Sequence, residues 1–202
     1  MFSEKISKII TYIFNPLIMP TIGMLMIFSS GTYLSYIPIE GKKLILTVVF
    51  AGTFLLPLSL LPVFFYLRVI KNIEMNENSR RSIPLLTTSI FYFFTFWIIK
   101  RFPVPFINVF IFATALCVVL NLLINLKWKI SSHLIGSGGL TGLSTALFLR
   151  LNADIVNMLI ITLLITGITG FARLKLNAHT PSQVYSGFLL GFATVTFLIL
   201  VY

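Results

Sequence analysis

Apolar residues run along this chain in long uninterrupted stretches, and polar residues gather in the short gaps between them. A helix needs about 20 apolar residues to cross the hydrocarbon of a bilayer, with a range of about 17 to 25. Stretches of that kind fall near residues 9–29, 44–67, 83–99, 106–126, 132–149, 155–172 and 183–202. The pattern predicts an all-α fold: one membrane domain over residues 1–202, a polytopic helical bundle with six to seven transmembrane helices. The count turns on the first stretch, where Pro16 and Pro20 either break a straight span or lay part of it in the interface. Lys5 and Lys8 precede that stretch in the manner of a signal peptide. No small-residue cleavage site follows, so it reads as a retained helix.

Composition agrees. The 202 residues are 57% hydrophobic and 10% charged, with a mean hydropathy of +1.01, where a soluble domain carries about a quarter charged residues. The net charge of +10 would suit nucleic acid only if it formed a basic face on a soluble domain. Here the basic residues lie between apolar runs. They read as anchors to anionic headgroups, an arrangement compatible with an anionic lipid substrate, and nucleic acid is not expected as a partner. Cys117 is the single cysteine and sits inside an apolar run, where it reads as a small buried hydrophobe.

The gaps alternate in character. Those after the first, third and fifth stretches hold Lys42 and Lys43, Lys100 and Arg101, and Arg150. Those after the second, fourth and sixth hold "RVIKNIEMNENSRRSIP", "KWKISSH" and "ARLKLNAHTPSQ". Seven alternating spans put these last three on one membrane face with the N-terminal tail. Both histidines and most of the basic residues then share a face, which predicts one composite site built from three loops. Sidedness is not fixed by charge: that face carries ten Lys and Arg against five, but only six once Lys71, Arg80, Arg81 and Arg173 are set aside as ligands of a bound anion.

The three clusters hold, in order, Lys71 with Arg80, Arg81 and Pro84; "SSH" ending at His133; and Arg173 followed six positions later by His179. They resemble the three motifs of the type 2 phosphatidic acid phosphatase family, K-x6-RP, PSGH and SR-x5-H-x3-D, over a core of about residues 68–191. The order is the family's, and the 46-residue interval between the histidines also suits it. There are departures. Eight residues separate Lys71 from Arg80, proline follows Arg81 by three positions, and either arginine can be the family's. Ile130 and Ser132 stand for the proline and glycine of PSGH, Ala172 for the serine of the third motif, and Gln183 for its aspartate.

The resemblance implies a membrane lipid phosphatase that works through a phosphohistidine and without metal or other cofactor. In it His179 would attack phosphorus, His133 would protonate the leaving oxygen, and Gln183 would orient His179. Arg173, Arg80 or Arg81, Lys71 and Ser131 would hold the phosphate oxygens. Its substrate would be a lipid phosphate or an isoprenyl diphosphate, and its site would face the periplasm from a bacterial inner membrane. Glu74 or Glu77 could supply the carboxylate that Gln183 lacks. The five acids and two histidines are in any case poor material for a two-metal centre.

Two other functions fit the residues. A weakened relative would bind a lipid phosphate or join a membrane assembly, as a partner or a homo-oligomer. A small transporter would be expected to keep its polar site mid-membrane. The glycine pairs Gly138 and Gly142, and Gly187 and Gly191, read as close helix packing, with Gly136, Gly138 and Gly139 also able to bring backbone to a phosphate. Asn121 and Asn125 read as interhelical hydrogen-bonding residues, and Lys127, Lys129 and Lys175 as headgroup anchors.

Overall fold

Helix α1 (Glu4–Ile13) opens the computed structural model, which describes residues 3–68, 78–153 and 155–202, without the side chains of 78–80. Ser3 starts it by accepting the Ile6 N–H, a side-chain cap for one of the orphan donors of the first turn. Its apolar positions Ile6, Ile9 and Ile13 share one exposed face, while Ser7 is buried on the other. Asn15 then takes the Leu17 N–H at 3.0 Å and begins the 3-10 turn Pro16–Ile18, from which α2 (Met19–Phe28) continues. The first stretch is therefore broken at its prolines, with α1 as a separate amphipathic piece, the form expected of a helix lying in a membrane interface.

The second stretch is also irregular. Helix α3 (Ile39–Phe50) passes through a π-type segment, Ala51–Leu55, into the short helices α4 (Leu56–Ser59) and α5 (Leu61–Tyr66). Pro57 and Pro62 each remove a helical N–H, which accounts for the interruptions. The remaining helices are long: α6 (Asn78–Ile99), α7 (Pro105–Asn125), α8 (Ser132–Leu151), α9 (Val156–Lys175) and α10 (Pro181–Val201). Among the described residues seven segments are long and apolar enough to cross a membrane. The chain is an all-α integral membrane bundle, and no strand occurs among the described residues.

Helix α8 is the axis of the bundle, with 67% of its span buried against 22–39% for the other segments. It runs parallel to α10 at backbone distance. A Cβ on Gly138 or Gly191 would meet the main chain of Phe188 or Ile135, so the four-residue glycine spacing serves helix packing. Gly136 and Gly139 instead reach the wall of a cavity. The tightly packed apolar core, including Met24, Ile27, Ile107, Ile111, Leu143 and Leu147, fills the half of the bundle toward the α6–α7 connection. The opposite half, where Arg81, His133 and His179 lie, is hollow.

Candidate functional site

A cavity of about 350 Å³ opens in that hollow half, and both histidines line it. Arg81 from α6, Lys129 and Ser132 at the entry to α8, and Arg173 from the last turn of α9 share its polar end. Lys8 and Thr11 of α1 complete the rim. Toward the membrane interior the wall turns apolar, through Leu85, Tyr92, Phe110, Cys117, Leu140 and Val195. The lining runs eleven residues along α6, from Arg81 to Tyr92, and eleven along α7, from Asn121 to Phe110. At 1.5 Å per residue that is about 16 Å, close to half the ~30 Å thickness of a bilayer's hydrocarbon core.

The turn between α9 and α10 sets His179 beside Arg173. Asn177 takes a left-handed backbone (φ 50°), a conformation that asparagine tolerates better than most residues. The chain then folds back so that the Ala178 N–H bonds the Arg173 carbonyl at 3.1 Å. Thr180 and Gln183 form a capping box at the start of α10, with Pro181 in its first turn. The Gln183 side-chain oxygen takes the Thr180 N–H at 3.2 Å and the His179 Nδ1–H at 3.1 Å. An oxygen that accepts both bonds fixes the tautomer: His179 carries its proton on Nδ1, and the Nε2 lone pair is left for chemistry.

His179 is held neutral. Burial first, then the Arg173 guanidinium, lower its pKa from 6.5 to about 3, with Lys129 and Arg81 adding to the effect and the Gln183 bond opposing it. The second histidine is tied differently. His133 donates Nε2–H to the Thr11 carbonyl at 3.2 Å, one of the carbonyls that the end of α1 leaves without a helical partner. The second cluster meets the third through the backbone, the Ser131 N–H bonding the Gln183 carbonyl at 3.3 Å.

Arg81 is 8% exposed and donates through Nη2 to the Ile130 carbonyl (3.3 Å) and to Ser132 Oγ (3.1 Å). Of the residues singled out in the sequence, His133, His179, Arg81 and Arg173 thus come together in one cavity, with Gln183 behind His179. Ser131 does not line it; its hydroxyl is buried without a partner, and its neighbour Ser132 holds the wall position. Lys71, Glu74 and Glu77 lie outside the described residues, as does the side chain of Arg80. Among the described residues no group of three His, Cys, Asp or Glu side chains comes together to hold a metal.

The sequence reading missed three contributors. Lys129, read as a headgroup anchor, reaches the cavity, while Lys127 and Lys175 are exposed as expected of anchors. Ser132 was legible only as a substitution within a motif. Helix α1 was foreseen as a broken or interfacial part of the first stretch, but not as a wall of the site. No protein-family model, curated protein or solved structure matches the chain.

Proposed function

We propose that the protein is a metal-independent phosphatase of lipid phosphates or diphosphates, related in mechanism to the type 2 phosphatidic acid phosphatases. The observation that carries this reading is one cavity with a cationic, histidine-bearing end and an apolar wall about one leaflet deep. A phosphate headgroup at the cationic end leaves its hydrocarbon chain in the apolar part. The substrates that fit are an isoprenyl phosphate or diphosphate, phosphatidic acid, phosphatidylglycerophosphate or a lipid A phosphate.

In the proposed reaction His179 Nε2 attacks the terminal phosphorus, and the P–O bond to the lipid alcohol, or in a diphosphate to the lipid's proximal phosphate, breaks. Arg81 and Arg173 balance the charge that gathers on the phosphoryl oxygens. His133, as imidazolium, gives a proton to the leaving oxygen, for which its Nε2–H must first release the Thr11 carbonyl. A water that gives its proton to His133 then cleaves the P–N bond of phosphohistidine, freeing inorganic phosphate and restoring both histidines. The site is assigned to the periplasmic face of a bacterial inner membrane, by analogy with that family.

A second reading is favoured by two contacts. His179 is backed by a neutral amide, and His133 is occupied by Thr11. A protein of this kind would hold a lipid phosphate without cleaving it. Phosphate release in detergent, with EDTA present, from a panel of lipid phosphates and diphosphates decides between the two. The phosphatase reading expects release that His179→Ala abolishes while the protein still melts cooperatively. Absence of release from every substrate, in the wild type and in Gln183→Asp alike, would leave the binder.

A further inference from the structure

Asn121 belongs to none of the three clusters, yet it reaches the site. It lies on α7, is 3% exposed, and donates from Nδ2 to Ser132 Oγ at 2.8 Å. The same oxygen receives Arg81 Nη2 at 3.1 Å. With two N–H groups on its lone pairs, Ser132 has its own proton left, and no acceptor for it occurs among the described residues. In this orientation Asn121 Oδ1 is also buried without a partner; turning the amide over lets it accept the Ser132 proton and leaves an amide N–H spare instead, so a surplus donor remains either way. Arg81 Nη1 is likewise buried without a hydrogen-bond partner. The trio therefore has more donors than acceptors at a cavity wall, the balance that an oxyanion corrects.

We propose that Asn121 is a positioning residue: through Ser132 it holds Arg81 so that the guanidinium's free edge and one spare proton meet the oxygens of a bound phosphate. The inference rests on the phosphate reading above. One turn further along α7, Asn125 donates to Ser82 Oγ at 3.4 Å, so the same helix also bonds the residue next to Arg81. A guanidinium set by Ile130, Ser132 and, behind it, Asn121 is ordered before the ligand arrives. That lowers the entropy lost when it binds.

The test is the affinity of the full chain in detergent for inorganic phosphate, read from the phosphate-dependent rise in melting temperature. The wild type is expected to saturate. Asn121→Leu should weaken binding about tenfold, the scale of one hydrogen bond to a charged group. Asn121→Asp keeps the size and can still bond Ser132, but its carboxylate competes for Arg81, so it too should weaken binding. Ser132→Ala cuts the link without touching α7 and should do the same. On Arg81→Ala, adding Asn121→Leu should change affinity by less than about twofold, because the pathway is already broken.

Wild-type affinity in Asn121→Asp, or an Asn121→Leu effect undiminished on the Arg81→Ala background, overturns the positioning role while leaving the phosphate site standing. Failure of the wild type to bind phosphate overturns both. If Asn121→Leu does not fold, Asn121→Asp and Ser132→Ala decide.

Discussion

Gln183 sets both what His179 can do and what it lacks. Its oxygen fixes the tautomer by accepting Nδ1–H, but it brings no charge to stabilise the cation that forms when Nε2 attacks. In the serine-protease triad, replacing the aspartate behind the histidine by an amide costs about 10⁴ in turnover. Gln183→Glu keeps the reach to both His179 and Thr180 and adds the charge, so it should raise phosphate release by at least about tenfold. Gln183→Asp restores the family's residue but is one methylene short of those two bonds, and should gain less. Rates for the three side chains in one assay check this.

The neutral state of His179 has its own signature. The unfolded chain takes up a proton on this residue near 6.5 and the folded chain only near 3. The folded form therefore loses stability as pH falls through that interval, and keeps it above 6.5. In nitrogen-15 spectra of histidine-labelled protein, the His179 ring should stay neutral from pH 8 down to 5. A midpoint near 6.5 would contradict the burial and the guanidinium placed beside it.

Helix packing explains why the site's parts meet. Helices α8 and α10 carry His133 and the His179–Gln183 turn at their beginnings, and glycines let them run together at backbone distance. A methyl on Gly191 would meet the Ile135 carbonyl and the Gly139 N–H, neither of which can swing aside. Gly167 on α9 has open space around its Cβ position. Gly191→Ala should therefore lower the melting temperature. Gly167→Ala should leave it unchanged or raise it, since alanine gains about 0.5–1 kcal/mol over glycine within a helix. Thermal melts of the two variants in the same detergent make the comparison.

The five regular helices α6–α10, which follow plain apolar runs, were legible in sequence, because lipid demands continuous apolar residues. The breaks were less so. Pro16 and Pro20 flagged the first, while the π segment at Ala51–Leu55 lies ahead of Pro57, where Gly52 is pressed onto Thr95, and sequence carries no period for it.

At the scale of the whole molecule, one end is packed and the other is hollow. The core between Ile99, Ile107, Leu147 and Ile199 gives a rigid floor, and the cavity opens where the polar clusters converge. That convergence was legible because alternating spans must return every second gap to the same face. Arg81, His133, Arg173 and His179 were found in this way. Asn121 was legible as an interhelical hydrogen-bonding residue and is one, but not as part of the site, because its partner lies eleven residues on, across a turn. Ser132 was obscured because the position matched a family glycine, while the hydroxyl that matters arises from its contacts.

The most direct test is to trap the covalent intermediate. A lipid diphosphate or monophosphate carrying radioactive phosphorus would be mixed with the wild type and with His179→Ala, quenched in alkali, and the protein digested and mapped. Acid-labile, alkali-stable label on the peptide containing His179, absent from the variant, is the expected result. Steady phosphate release from the wild type with label on no residue would contradict a histidine nucleophile.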